Sequence, residues 1–257
     1  MKFDVSTFLL QWAVGGLAFL WVTSRRAVFS VGYRWLLYGV WGSLAALAAG
    51  VGFAGDTVLV RDLAGVAVAT AAVVVVGISV RDTHRQADGE KDRGGKKANS
   101  ASSGKLLDIW APLFGLVGLV AAGFEAEGSV TLAVVRVIVG ALFLGAVTDT
   151  MLLGHWYLVQ PGMSRAPLLE LIACGGVLCL ADVAVWLLPT GLLSAGSDSL
   201  LAWFWLVCAV ATAGLLAVTR LALREPRYSA VMAATGLSYL AVMTAIAMEL
   251  VAGAAVF

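Results

Sequence analysis

Charge is scarce in this chain. Asp, Glu, Lys and Arg together make up 13% of its 257 residues, against about 25% in an ordinary soluble domain. Apolar residues make up 61% and mean hydropathy is +0.94. No water-soluble fold of this size could bury that much apolar surface, so lipid is the expected solvent. Charge imbalance is missing as well. A net charge of +1 from 17 basic and 16 acidic residues gives no bias toward nucleic acid or other polyanions. There are only two histidines, and His84 falls in a polar stretch, which excludes bis-histidine haem ligation between spans. No lysine lies deep in an apolar segment, so a retinal Schiff base has no anchor. Neither a G-x-x-x-x-G-K-[ST] phosphate loop, an H-E-x-x-H helix nor a G-x-S-x-G elbow occurs. Cys174, Cys179 and Cys208 all fall in apolar segments, without metal-ligand spacing or a disulfide framework. No cofactor, metal or catalytic residue is therefore expected, and an enzyme is the weakest of the functional classes.

What the chain does have is long apolar runs. A spanning helix needs about 20 apolar residues to cross about 30 Å of hydrocarbon. Eight segments qualify: 5–23, 35–54, 63–80, 107–124, 130–156, 166–189, 200–219 and 229–254. The expected fold is thus all-α, a polytopic membrane bundle of about eight transmembrane helices. Residues 1–80 hold three of them and 107–257 hold five. Between lies 81–106, rich in charge, Gly and Ser, with too little apolar surface to offset its ordering entropy; it is expected to be a disordered linker. Its charges are of mixed sign, which does not favour strong binding to anionic lipid.

Fourteen of the 17 basic residues fall in loops on one side of this arrangement, leaving Lys2 and Arg61 opposite and Arg136 within a span. The excess of Lys and Arg marks the cytoplasmic side, so the linker is expected in the cytoplasm and both termini outside. The first segment is long, lacks a small-residue cleavage pattern and precedes its basic cluster, so it is expected to stay as an anchor in a cell (inner) membrane.

Two packing patterns stand out. Gly42, Ala46, Gly50 and Ala54 recur at four-residue steps, as do Ala230, Ala234 and Ser238. Small residues so spaced let helices approach closely, and the first stripe is expected to pack inside the monomer. Many Trp and Tyr residues sit near span ends, as interfacial anchors do. The two halves would run in parallel, and the only echo between them is an Arg followed by paired leucines: Arg34 with Leu36 and Leu37, Arg165 with Leu168 and Leu169.

Ionisable residues inside spans cost at least about 2.5–3.5 kcal/mol each at the bilayer centre, which makes them the functional candidates. If the fifth and sixth segments form a hairpin turning near Pro161, Arg136 meets Asp182 at one depth and Asp149 meets Glu170 at another. The first would be a buried ion pair, either bracing the helices or gating them. Asp149, Glu170 and His155 would form an ion or proton relay, since paired carboxyls and an imidazole exchange protons readily. His155, Trp156 and Tyr157 could contact a lipid headgroup or a quinone, or simply belong to an aromatic belt. Glu249 is expected near the outer headgroups, without a role. Two functions follow. One is a small proton- or cation-coupled transporter; the other is a non-catalytic subunit or scaffold of a larger membrane complex, possible in either case as a homo-oligomer. The lipid bilayer is the partner common to both.

Overall fold

The computed structural model describes residues 4–26, 31–89, 108–125, 129–160, 162–187 and 199–256. Among these are eight helices and no strand: α1 Val5–Arg26, α2 Val31–Ala54, α3 Leu59–Gly89, α4 Trp110–Phe124, α5 Val130–Val159, α6 Ala166–Leu187, α7 Ser199–Ala222 and α8 Tyr228–Val256. Helices satisfy their own backbone hydrogen bonds, which is what apolar segments without water require. Seven are long and apolar enough to cross a membrane. The exception is α4, whose 15 residues rise only about 22 Å. It begins at Trp110 rather than at 107, because Asp108 just ahead of it is turned inward and held by Arg34.

Most other edges fall within about a turn of expectation. The far end of α3 does not. It continues to Gly89, nine residues into the segment read as a disordered linker; residues 90–107 lie outside the described part. At the α5–α6 turn Gly162 has φ 102°, a left-handed conformation that glycine takes without steric cost. The neighbouring Pro161 lies outside the described residues.

The surface is apolar and the interior carries charge. Val73, Val177, Leu180, Leu200 and Met243 are all at least 66% exposed, whereas Arg61, Asp62, Asp108, Arg136, Asp149, Asp182 and Glu249 are at most 5% exposed. That inverts the soluble pattern and points to a membrane-embedded chain.

The helices form two rings of four. In the first, α1 packs on α2, α2 on α3, α3 on α4 and α4 on α1. In the second, α5, α6, α7 and α8 follow the same circuit. The rings meet where α5 packs on α1 and α4. At the α1–α5 crossing, Gly15 and Gly145 bring backbone against backbone: a Cβ on Gly145 would stand 2.7 Å from Gly15 Cα and closer still to its carbonyl. Both rings also share a clasp. Arg34, in the first turns of α2, binds Asp108 ahead of α4 with both carboxylate oxygens, at 2.8 and 2.7 Å. Arg165, just ahead of α6, donates to the carbonyls of Leu223, Glu225, Pro226 and Arg227 in the turn ahead of α8. The faint echo between the halves thus has a shared mechanical role.

The small-residue stripe of α2 runs outward, contrary to expectation. Gly42 does pack on Ala72 of α3, but Ala46, Gly50 and Ala54 are exposed. The inward face is instead Trp41, Ala45, Ala48, Ala49 and Gly52, since the bulky indole needs the interior.

Candidate functional site

The helices that begin at one end of the bundle are α1, α3, α5 and α7; we call this the near end and its opposite the far end. Among the described residues, four groups hold the buried ionisable side chains, two toward each end.

The first joins α1 to the α2–α3 turn. Arg61, 1% exposed at the start of α3, forms an ion pair with Asp4 and a 2.8 Å bond to Asp62 Oδ1. It also donates to Thr7 Oγ1 at 3.3 Å and to the Asp56 carbonyl at 3.0 Å. Ser6 adds a 2.8 Å bond to the Ala48 carbonyl. Arg61 therefore belongs to the interior and not to a surface loop. Its donors are engaged on every side, which suits a fastening and leaves little chemistry to do.

The second group lies a turn or two deeper, between α1, α5, α6 and α8. Asp182 and Glu249, 0% and 4% exposed, stand within hydrogen-bonding reach of each other. The Trp186 indole, a turn along the same helix, also stands near Asp182, and Glu249 Oε1 has no hydrogen-bond partner among the described residues. Two carboxyl groups form a hydrogen bond only when a proton sits between them, since carboxylates are acceptors alone. Arg136 lies alongside Asp182, donates from Nε to the Val185 carbonyl at 3.3 Å and holds its guanidinium 4.7 Å from the Trp186 ring centre. Gln11 of α1 closes the group, its amide bonded to the Val137 carbonyl at 3.0 Å. Gly140 makes room for it: a Cβ there would lie 2.8 and 2.9 Å from the Glu249 carboxylate oxygens and 3.0 Å from Gln11 Nε2.

At the far end, the Arg34–Asp108 clasp has the Tyr38 hydroxyl beside it. The fourth group fills the seam between α2 and α5. Tyr33, Leu37 and Trp41 follow one another at four-residue steps, as do Asp149, Leu153 and Tyr157, and helical periodicity puts each trio on one face. The helices run antiparallel, so Trp41 lies beside Asp149 and Tyr33 lies at the level of Tyr157.

The structure regroups the residues expected from sequence. Arg136 and Asp182 are in one buried group, though Arg136 reaches about a turn past Asp182 to Val185 and Trp186. Asp149 and Glu170 are not brought together. Asp149 is 1% exposed on the face toward α2, while Glu170 is exposed on α6. Equal depth on a hairpin sets how far along a helix two residues lie but not which way they point. His155 is exposed as well. Trp156 turns inward against Tyr33, with ring centres 5.4 Å apart, and bonds Gln160 at 3.1 Å. Tyr157 is buried. These three consecutive residues point in different directions and do not make one surface for a headgroup or quinone.

Glu249 is the residue that sequence reading missed. It is enclosed, 4% exposed, rather than turned to the surface. Its signal was present: a lone acid 21 residues into a 29-residue helix, with Gly140 on a partner helix able to receive it. Among the described residues no three His, Cys, Asp or Glu side chains are grouped so as to hold a metal ion. No family model, curated protein or solved structure matches this chain.

Proposed function

We propose that the chain is an eight-helix protein of a cell (inner) membrane that moves protons or small cations through the Asp182–Glu249 group. In this reading both termini lie outside, the basic loops and the stretch 81–106 lie in the cytoplasm, and Arg136 and Gln11 position the two carboxyls. The observation that carries it is the meeting of Asp182 and Glu249, two buried acids enclosed by four helices. A single shared proton balances their mutual repulsion; its loss would leave one more negative charge, which a monovalent cation bound in its place would offset. Intramembrane acids facing a bundle interior commonly mark ion pathways.

The test is flux in proteoliposomes with an internal pH indicator, driven by imposed Na⁺, K⁺ or pH gradients. Wild-type protein should move protons well above the rate of empty vesicles. Asp182→Asn and Glu249→Gln should each lower that rate by about a hundredfold, the smaller of the effects typical for a positioned proton-transfer group. Equal flux with and without protein, or full flux in both variants, would overturn the reading.

A second reading, a subunit of a larger membrane complex or a homo-oligomer, is favoured by the outward-turned Ala46, Gly50 and Ala54 of α2, where another helix could approach closely. Absence of flux together with a stoichiometric partner retained in mild detergent would decide for it.

A further inference from the structure

The turn between α7 and α8, at the far end, carries positive charge that no ion pair cancels among the described residues. Arg220, Arg224 and Arg227 fall within eight residues, with Glu225 the only acid among them. All three arginines are exposed, and no hydrogen bond or ion pair among the described residues engages their side chains. Arginines at a helix end ordinarily turn back onto its last carbonyls. Here those acceptors are taken. The end of α7 tightens, the Arg224 N–H donating to the Leu221 carbonyl and the Glu225 N–H to the Ala222 carbonyl, both at 3.1 Å. Arg165 occupies the carbonyls of Leu223, Glu225, Pro226 and Arg227. Four carbonyls on one guanidinium wind the turn tightly and keep the backbones of Arg224 and Arg227 close together. In the first ring Arg34 is neutralised by Asp108, whereas the carbonyls that hold Arg165 cancel no charge. The face of α7 below the turn is apolar. Val207, Val210, Val218 and Leu221 are at least 50% exposed, and among them Gly214 has open space where a side chain would stand. Arg220 lies six residues beyond Gly214, about 9 Å of rise, which is within one leaflet's half of a hydrocarbon core of about 30 Å.

We infer that the α7–α8 turn binds an anionic phospholipid, its headgroup held by Arg220, Arg224 and Arg227 and an acyl chain lying over Gly214. Charge selects the headgroup, since guanidinium forks bind phosphate oxygens through paired donors. A zwitterionic lipid brings an ammonium with its phosphate and gains less. The chain makes the occupant a lipid rather than a free phosphate: the face beneath the arginines is the one a bilayer covers, and Gly214 leaves width for methylenes. A second copy of the protein fits worse, because a two-fold contact through this patch would set its arginines against themselves. The turn is also held in place before any lipid arrives. Arg165 ties it to the start of α6, and the Tyr228 hydroxyl donates to the Leu158 carbonyl of α5 at 3.2 Å. Little ordering is left to oppose binding. The site needs only that the bundle lie in a bilayer, and it is independent of whatever Asp182 and Glu249 carry.

The experiment is native mass spectrometry of the full-length protein in neutral detergent, titrated with phosphatidylglycerol or with phosphatidylcholine of the same chains. Wild-type protein should retain phosphatidylglycerol about a hundredfold more tightly, at about fivefold for each of three arginines beside an anionic headgroup. With Arg220→Gln, Arg224→Gln and Arg227→Gln combined, that preference should disappear. If the triple variant does not fold, Arg224→Gln alone should lower the preference about fivefold. Arg81→Gln, exposed at the same end on α3, should keep the wild-type preference. Equal retention of the two lipids by wild-type protein would overturn the inference, and so would an unchanged preference in the turn variants. An equal loss in Arg81→Gln would also overturn it, by making the preference a property of surface charge in general. Glycerol phosphate, a headgroup without chains, should not displace the lipid; displacement at equal concentration would make the occupant a soluble phosphate instead. A second protein chain retained in place of lipid, and lost in the triple variant, would likewise overturn it. None of these readouts depends on transport, so failure here and failure of the flux test remain separate results.

Discussion

A methyl group at Gly145 would have to occupy space filled by the Gly15 backbone. Overpacking of this kind costs about 1–3 kcal/mol, and backbone cannot yield as a side-chain end can, so the upper figure applies. Gly145→Ala should therefore lower the thermal unfolding temperature in detergent, whereas Gly176→Ala, with open space around it, should not. An equal melting temperature for both variants would show that the crossing is not close. At this scale the sequence was partly readable. The cost of charge in lipid singled out Arg136, Asp149 and Asp182, and all three are buried. It did not give the direction of each side chain around its helix, which is why Glu170 and His155 were grouped with Asp149 and Trp41, Tyr33 and Glu249 were not.

Elements were more legible than residues, because apolar length is a strong signal and few polar breaks interrupt it. The failures have specific causes. Asp108 is polar yet buried, so α4 starts late; the charged residues after Val80 look like a linker yet continue α3 to Gly89. Asp108 also sets the prediction for this scale. Its carboxylate is 1% exposed and Arg34 24%. Arg34→Met would leave it buried without a counter-charge, at a cost of about 3 kcal/mol, the low end for a broken buried pair because Arg34 is partly hydrated. Combining Arg34→Met with Asp108→Asn should recover part of the loss in denaturant unfolding. A double variant as unstable as the sum of the two singles would mean that the pair does not interact.

The whole molecule was the least readable, since two rings with one circuit of contacts share almost no residues. Only the arginine at the start of each second helix survives as a trace, and it does so because it fastens the same turn in each ring. The main buried cluster runs through both rings, which meet through α5 against α1 and α4. Residues 1–125 and 126–257 expressed as two chains in one cell should accordingly co-purify in mild detergent and carry the same flux as the intact protein. Recovery of either half alone would show that chain continuity, rather than packing, holds the rings together.

The glycine crossing has one more consequence, which concerns insulation. Along α5, Gly145 lies five residues from Gly140, where Glu249 is seated, and four from Asp149, about 7 Å and 6 Å of rise. Backbone pressed on backbone there leaves no width for a file of water along the α1–α5 face. It is a dry septum between two buried acid groups, Asp182 with Glu249 on one side and Asp149 on the other. A leak between the two acid groups by this face therefore requires α1 and α5 to part.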